Sequence, residues 1–424
     1  MISNAFTADE RIDDRRGCFS GRVPTRGNLS CVPRFEPFRA LRYDMPDHSA
    51  VIAPPYDVLS ADDVAMLASR SDRNIVHVDV PAGGDDRYER AAEILASWIN
   101  DGVLVLDAVD SFTIYRMRFT DATGVARDLV GVLGGLEVVD EGAGGVLPHE
   151  RTTPKASTDR LDLTRTTRAN LSPVWGLSLA SGLTDLLREP GDAVGEVTVD
   201  GVTHIVERVS DPARVATIRS HVAPHDVLIA DGHHRYGISR TYRDETRAAA
   251  GRNDTPAELT LTFVGELVAE QLSVEAIHRL YHGVTAEAVL DTLAASFEFE
   301  PLDTPTPTTL ADMDQDGFLV FVGRNGTQRM TPKPGAFDDV RALDGVWLEH
   351  ALAASPVEVT YQHGLDHVIK AVAGGDAAAA VLIRPVSVAE IERTAREGVL
   401  MPPKSTFFTP KLRTGFVIRP LDER

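Results

Sequence analysis

The 424-residue chain reads as a mixed α/β (α+β) protein, and two observations say so. Short apolar runs bounded by Gly, Pro and Asp alternate with segments of helical spacing, and no period of about 20 to 50 residues repeats, which argues against solenoids and propellers. The composition, 43% apolar and 25% charged, is that of a chain able to bury a core.

The elements follow in order. Residues 1–33 mix Arg, Asp, Gly and Ser without periodicity and are expected to form a mobile extension. In "AVIAPPYDVLS" an apolar run meets Pro54 and Pro55, a pair that stops a strand and stiffens the next turn. "DRYERAAEILASWIND" puts Tyr88, Ala91, Ala92, Leu95 and Ile99 at helical spacing. "SFTIYRMRFTDATGVARDLVGVLGGLEV" reads as two strands hinged at residues 121–124, and "DEGAGG" reads as a joint closing a first unit over 34–145. A second unit over 146–284 holds the buried strand "DVLIA" (226–230) and the helix "RYGISRTYRDETRAAA". The third, 285–424, supplies a helix over "TAEAVLDTLAASFE", a hairpin over "GFLVFVGRNGTQRMTP" and helices near 339–354 and 364–373. It ends in strand, helix, stiff loop and strand, with Ser387 and Glu390 as a capping box and Gly398 as the stop.

Charge and cysteine content narrow the function. A net charge of −20 repels phosphate backbones and anionic membrane surfaces, so nucleic acid and membrane are not expected partners, and any anion site must be a local basic pocket. Cys18 and Cys31 are the two cysteines, too few for a thiolate metal cluster or a disulfide framework. With no long apolar run or cleavable leader, a cytoplasmic location is expected. The oligomeric state has no signature. No Gly-x4-Gly-Lys-Ser/Thr loop, Gly-x-Gly-x-x-Gly fingerprint, Gly-x-Ser-x-Gly elbow or His-Glu-x-x-His pair occurs.

The densest chemistry lies in "IADGHHRYGI" (229–238), a strand-to-helix bend. Unpaired N–H groups at a helix start favour an anion, Gly232 lets a phosphate approach, and His233, His234 and Arg235 add donors. Asp231 is a candidate for magnesium or for orienting a hydroxyl. The alternative is a capped helix with packed imidazoles. Zinc fits poorly, because adjacent helical residues point about 100° apart.

Other stretches carry two readings each. "MPPKSTFFTPKL" (401–412) presents Lys404, Ser405, Thr406 and Lys411 between prolines, either as an anion-holding loop or as a rigid connector. Asn170 and Ser172, set by Pro173, are candidates for polar contact with a substrate. Tyr56 and Asp57 either face the cleft or end a turn, whereas His278 with Arg279 reads as structural. In "TDRLDLTRTTR", Asp162 and Arg165 are spaced to neutralise each other.

"LIADGHHRYGISRTY" resembles the strand–Gly–His–Arg–helix signature of the ParB/sulfiredoxin-like superfamily. From Phe35 onward, the ordered motifs "PFRALRY", "APPYDVL", "LPHERT", "ANLSP", "DGHHRY" and "MPPKSTFF" are similar to a prokaryotic domain-of-unknown-function family close to the free-serine kinases. The resemblance implies a ParB/sulfiredoxin-like core flanked by N- and C-terminal α/β segments. Sulfiredoxin chemistry needs a cysteine where His233 stands, and DNA partitioning suits a basic chain.

The kinase comparison implies phosphoryl transfer from ATP or ADP, with Mg2+, to a small serine-like hydroxyl metabolite. It aligns a glutamate base with Glu150 in Pro148-His149-Glu150, with His149 orienting it and Arg151 and Lys155 adding charge. Asp231 and His233 join Glu150 as catalytic candidates, Asp231 also as the metal ligand. Gly232, His233, His234, Arg235, Lys404, Ser405 and Thr406 would bind the nucleotide, and His149, Asn170, Ser172, Tyr56 and Asp57 the substrate. The competing expectation is a nucleotide-binding regulator that phosphorylates no metabolite.

Overall fold

The computed structural model describes residues 32–122, 124–150 and 157–422, apart from the side chains at 157 and 158. The expected N-terminal extension, save its last two residues, lies outside them, as do Arg151 and Lys155.

The architecture is mixed α/β, built on a large mixed sheet. Its nine strands are β1 (Phe35–Glu36), β2 (Phe112–Thr120), β3 (Ala126–Glu137), β4 (Val146–Leu147), β5 (Val174–Ser178), β6 (Asp192–Val199), β7 (Val202–Val209), β8 (Val227–Asp231) and β9 (Leu259–Glu266). They lie in the order β4-β8-β5-β9-β3-β2-β7-β6, with β1 also on β3. The pairs β4 with β8 and β5 with β9 are parallel, and the others are antiparallel. The glycine-rich stretch at 140–145 does not interrupt this sheet, because the chain re-enters it at β4.

The run "VLIA" is apolar at every position because β8 is covered on both faces. Leu228 and Ala230 belong to one core cluster, Val227 and Ile229 to the other. Helix Arg87–Asn100 turns Ala91, Leu95 and Trp98 into the first cluster, close to the expected face. Gly134 on β3 is a close-approach position, where a Cβ would meet Phe35 Cζ at 2.5 Å.

A second sheet is antiparallel throughout. Its strands are β10 (Ile277–His282), β11 (Phe297–Leu302), β12 (Leu319–Gly323), β13 (Gly326–Pro332), β14 (Glu358–His363) and β15 (Ala379–Leu382), in the order β11-β13-β12-β15-β10-β14. It too is apolar on both faces: Tyr281 and Val381 join one cluster, Leu280 and Leu382 the other.

Beyond helix Val388–Glu397 the chain packs back against the large sheet, burying Phe408, Leu412, Phe416 and Ile418 in the first cluster, and makes short pairings outside that sheet. Phe407–Thr409 pairs with Ser273–Glu275, Thr414 exchanges backbone bonds with Ala53, and Arg419–Pro420 pairs with Ala169–Asn170. This return brings residues 401–412 against the ends of β4 and β8.

Two local expectations are corrected. The run before Pro54 makes one bridge, Ala53 with Thr414, and no strand, since Val51 N and Ile52 N bond locally to His48 O and Val51 O accepts from Ile75 N. The capping box at Ser387 is half formed: Ser387 Oγ accepts from Glu390 N at 3.2 Å, but the Glu390 carboxylate turns instead to Arg393 and Arg341.

Candidate active site

The site forms where two parallel strands end side by side. Because β4 and β8 run in the same direction in adjacent positions, the residues at and just beyond their ends, His149 and Glu150 on one and Asp231 and Gly232 on the other, emerge together. The loop 401–406 closes over them. Met401 N donates to His149 O at 2.9 Å, and Ser405 N donates to Glu150 Oε2 at 3.2 Å.

His149 is fully buried and holds this junction together. Its Nδ1 lies 2.6 Å from the carbonyl oxygen of Ile229 and its Nε2 lies 2.8 Å from Thr406 Oγ1. The Nδ1 proton is therefore donated to the carbonyl, and Nε2 accepts from the threonine hydroxyl. Burial pushes the imidazole down to about 4, against the raising effect of the Ile229 carbonyl, so it is neutral at pH 7.

At the bend itself, Gly232 has φ +86°, a left-handed conformation that suits glycine, and helix His233–Ala250 starts at the next residue. Asp231 Oδ1 accepts from Gly232 N at 2.9 Å, while its Oδ2 lies 3.1 Å from Lys411 Nζ and 3.3 Å from Arg235 Nη2. Burial raises the Asp231 carboxyl, but Lys411 and Arg235 outweigh it and hold the group below the usual carboxylate range. His233 packs against His149 with ring centroids 4.8 Å apart and the rings tilted by 60°. Burial, then His149, lower its pKa well below the ordinary value, and its buried Nε2 has no hydrogen-bond partner among the described residues.

Glu150 responds differently. Burial pushes its carboxyl up to about 7, against Lys404 and the Ser405 N–H, which favour the ionised form. It is partly buried, not sealed. Lys404 is exposed, has φ +59°, and forms no ion pair among the described residues. An ionisable carboxyl near neutrality thus stands beside an available ammonium and a helix start.

Several expected residues are committed elsewhere. Arg235 donates to Pro173 O, and its Nη2 also lies 3.5 Å from Asp57 Oδ2, which fixes the guanidinium between two carboxylates. Asp57 therefore reaches the bend through Arg235. Tyr56 lies under Arg160, whose Cζ is 3.9 Å from the ring centroid, and Arg160 is paired with buried Asp79. Asn170 Oδ1 accepts from Leu261 N at 3.1 Å, and Ser172 Oγ lies 2.8 Å from Thr414 Oγ1. Both line a cavity of about 40 Å³ behind Arg235, away from the 401–406 loop. His234 is partly buried at the first turn of the helix. Ser405 Oγ is bonded to Pro402 O at 2.8 Å, which leaves its backbone N–H as the contact to Glu150. Asp162 and Arg165 do pair, at 2.6 Å, and Arg165 also takes Glu245.

Lys411, read from sequence as one lysine of a Pro-rich loop, is the residue that neutralises Asp231; no periodicity marks such a contact, and opposite charge at two bends was the available signal. As for a metal, no group of three or more His, Cys, Asp or Glu side chains poised to hold an ion occurs among the described residues. Asp231, whose oxygens already meet Gly232 N, Lys411 and Arg235, would be one carboxylate ligand to a magnesium ion that arrives with phosphates and water, and the described residues form no preformed protein cage. No helix of the described residues is long and apolar enough to cross a membrane.

Comparison with known proteins gives the following. Among curated proteins no sequence matches. Solved structures with a similar fold trace include a mutant free serine kinase in complex with ADP, at 12% identity and TM-score 0.36, covering 64% of this chain and 89% of that one. A conserved hypothetical protein from Pyrococcus furiosus matches at 12% identity and TM-score 0.36, over 65% of this chain and 92% of that one. SbnI with a C-terminal truncation, from Staphylococcus aureus, matches at 12% and 0.38, over 68% and 87%. A family model spans residues 35–346, and the chain belongs to that family, described as "Protein of unknown function (DUF1015)".

Proposed function

We propose that this protein is a small-molecule kinase that moves a phosphoryl group from ATP or ADP to a small hydroxyl metabolite, on a ParB/sulfiredoxin-like core. One observation carries the reading: Glu150, with its carboxyl poised near neutrality, stands beside Lys404 and the start of helix His233–Ala250. Phosphoryl transfer demands little covalent chemistry from a protein. It needs the donor held, its charge spread over cations, and the acceptor hydroxyl relieved of its proton.

In this reading the nucleotide phosphates sit on the N–H groups after Gly232, with Lys404 and His233 Nε2 as further contacts. The acceptor oxygen bonds to the terminal phosphorus as the bond from that phosphorus to the bridging oxygen breaks, and the nucleotide leaves one phosphate shorter. The hydroxyl proton passes to Glu150, whose pKa near the working pH suits a base. His149 acts on Glu150 through the backbone junction with Met401, as a positioning residue. Magnesium, where bound, would share the Asp231 oxygens and neutralise phosphate charge.

Calorimetric titration with ATP and ADP, magnesium included, tests the phosphate site. Binding that is weakened by Lys404→Ala and by Gly232→Ala supports it. Absence of heat with either nucleotide overturns it.

A further inference from the structure

A second polar cavity lies across the 401–406 loop from the bend. It has a volume of about 250 Å³ and is lined by Arg279, Leu343, Gly345, Arg384, Pro402 and Ser405 among others. Its size is below the ~300–1,000 Å³ usual for drug-sized ligands, which suits a compound of a few heavy atoms. Ser405 connects it to the site: its side of the loop faces this cavity while its N–H holds Glu150.

Arg279, on β10, is the unusual wall residue. It is 4% exposed, and no carboxylate lies within ion-pair distance of it among the described residues, although its charge is felt by Glu150 and Glu349. Nη1 donates to the backbone oxygens of Ile277 and Lys404, the latter at 3.2 Å. Cζ also lies 4.9 Å from the ring centroid of Tyr361. Burying a guanidinium without a counter-charge is costly, and buried charges are ordinarily paired. Of the other charges of the cavity, Arg384 forks onto Asp344, with Nη2 2.5 Å from Oδ1 and Nε 3.0 Å from Oδ2, and Glu390 is held by Arg341 and Arg393, while Asp314 also lines the wall and favours the charged form of Arg384. The helix Asp344–Ala351 also begins at this wall without a side-chain cap, its positive end faced by the first-turn carboxylate of Asp344 that Arg384 holds.

We propose that this cavity is the acceptor subsite and that Arg279 receives the carboxylate of a small hydroxy acid whose hydroxyl is directed past Ser405 toward Glu150. The proposal rests on the kinase reading for the hydroxyl's role. The carboxylate contact itself does not depend on that reading. It also defines a substrate class: hydroxyl compounds bearing a carboxylate are taken, and their decarboxylated counterparts are not.

The test compares matched pairs, L-serine against ethanolamine and D-glycerate against ethylene glycol, titrated calorimetrically into the full chain with and without ADP. Inorganic phosphate is a separate arm. The expected result is that at least one carboxylate binds, its counterpart does not, and Arg279→Gln weakens the carboxylate about 10- to 100-fold with ADP affinity unchanged. Should Arg279→Gln fail to fold, Gly345→Ala replaces it. Its Cβ would stand 2.8 Å from Arg279 Nη2 and displace the guanidinium, so carboxylate binding should again fall.

Carboxylate binding that is indifferent to the folded variant, or no binding by any carboxylate, overturns the subsite. So does a loss confined to ADP or inorganic phosphate, which would make Arg279 a phosphate contact. Arg279-dependent carboxylate binding without any phosphorylated product would retain the subsite and overturn the kinase reading instead.

Discussion

The backbone N–H of Ser405 donates to Glu150 Oε2 at 3.2 Å, joining two residues 255 positions apart. The contact fixes a carboxyl that burial has pushed up to about 7, and it is made by the loop that also bears Lys404. Most of what the site is proposed to do passes through this junction.

Glu150→Gln keeps the shape and the Ser405 contact but removes the base. Turnover should fall about 10²- to 10⁴-fold while nucleotide affinity stays within a few-fold, as read by single-turnover kinetics beside calorimetry. Equal losses in both would assign Glu150 to binding.

The same carboxyl makes stability depend on pH. Its folded pKa of about 7 lies above the ordinary 4.5, so the folded protein retains a proton that the unfolded chain has released between those values. The stabilisation is complete below about 4.5 and is lost as pH rises through about 7. His149 has the opposite sign: its imidazole is lowered from 6.5 to about 4, so its contribution is present above 6.5 and is lost as pH falls through about 4. Between about pH 5 and about pH 8 the lowered histidines add stability while Glu150 removes it. Urea unfolding should therefore show that the change toward the higher pH is more favourable in Glu150→Gln than in the unaltered protein. An identical change in both proteins would place the Glu150 carboxyl in the ordinary range.

Lys404 holds a left-handed backbone at φ +59°, which costs a non-glycine residue about 1–2 kcal/mol. Lys404→Gly relieves that strain and removes the ammonium. It should leave stability unchanged or raise it by up to about 1 kcal/mol while weakening nucleotide binding. Thermal melts and calorimetry on one preparation decide this; weaker stability with intact binding would make Lys404 a structural residue.

Thr406→Val removes the hydroxyl that His149 Nε2 faces at 2.8 Å with little change of shape. A loss of about 1–3 kcal/mol is expected from the buried nitrogen left without its partner, measured by urea denaturation. A neutral outcome would mean that water reaches the imidazole.

The strand-to-helix bend was legible because both of its halves carry local signals: β8 is apolar on both faces, and the helix after Gly232 has its own spacing. The nearness of Glu150 to Asp231 was not. It depends on parallel pairing between a two-residue strand and one 81 positions later, and no periodicity records a partner. Arg235 was expected to meet phosphate, yet two carboxylates and a carbonyl now hold it, since Asp57 arrives from a remote turn. Arg279 looked structural in sequence because a charge in a strand does not reveal whether a counter-ion meets it. The C-terminal loop was legible as rigid, but its closure over β4 and β8 arises from late pairings of the chain with the remote segments Ser273–Glu275 and Ala169–Asn170.

Mass spectrometry of a hydroxylated-metabolite pool, incubated with magnesium and ATP or ADP, measures the central claim most directly. The account predicts a product heavier by one phosphoryl group with the unaltered protein and little or none with Glu150→Gln. No such product with either nucleotide, or equal product from both proteins, would contradict it.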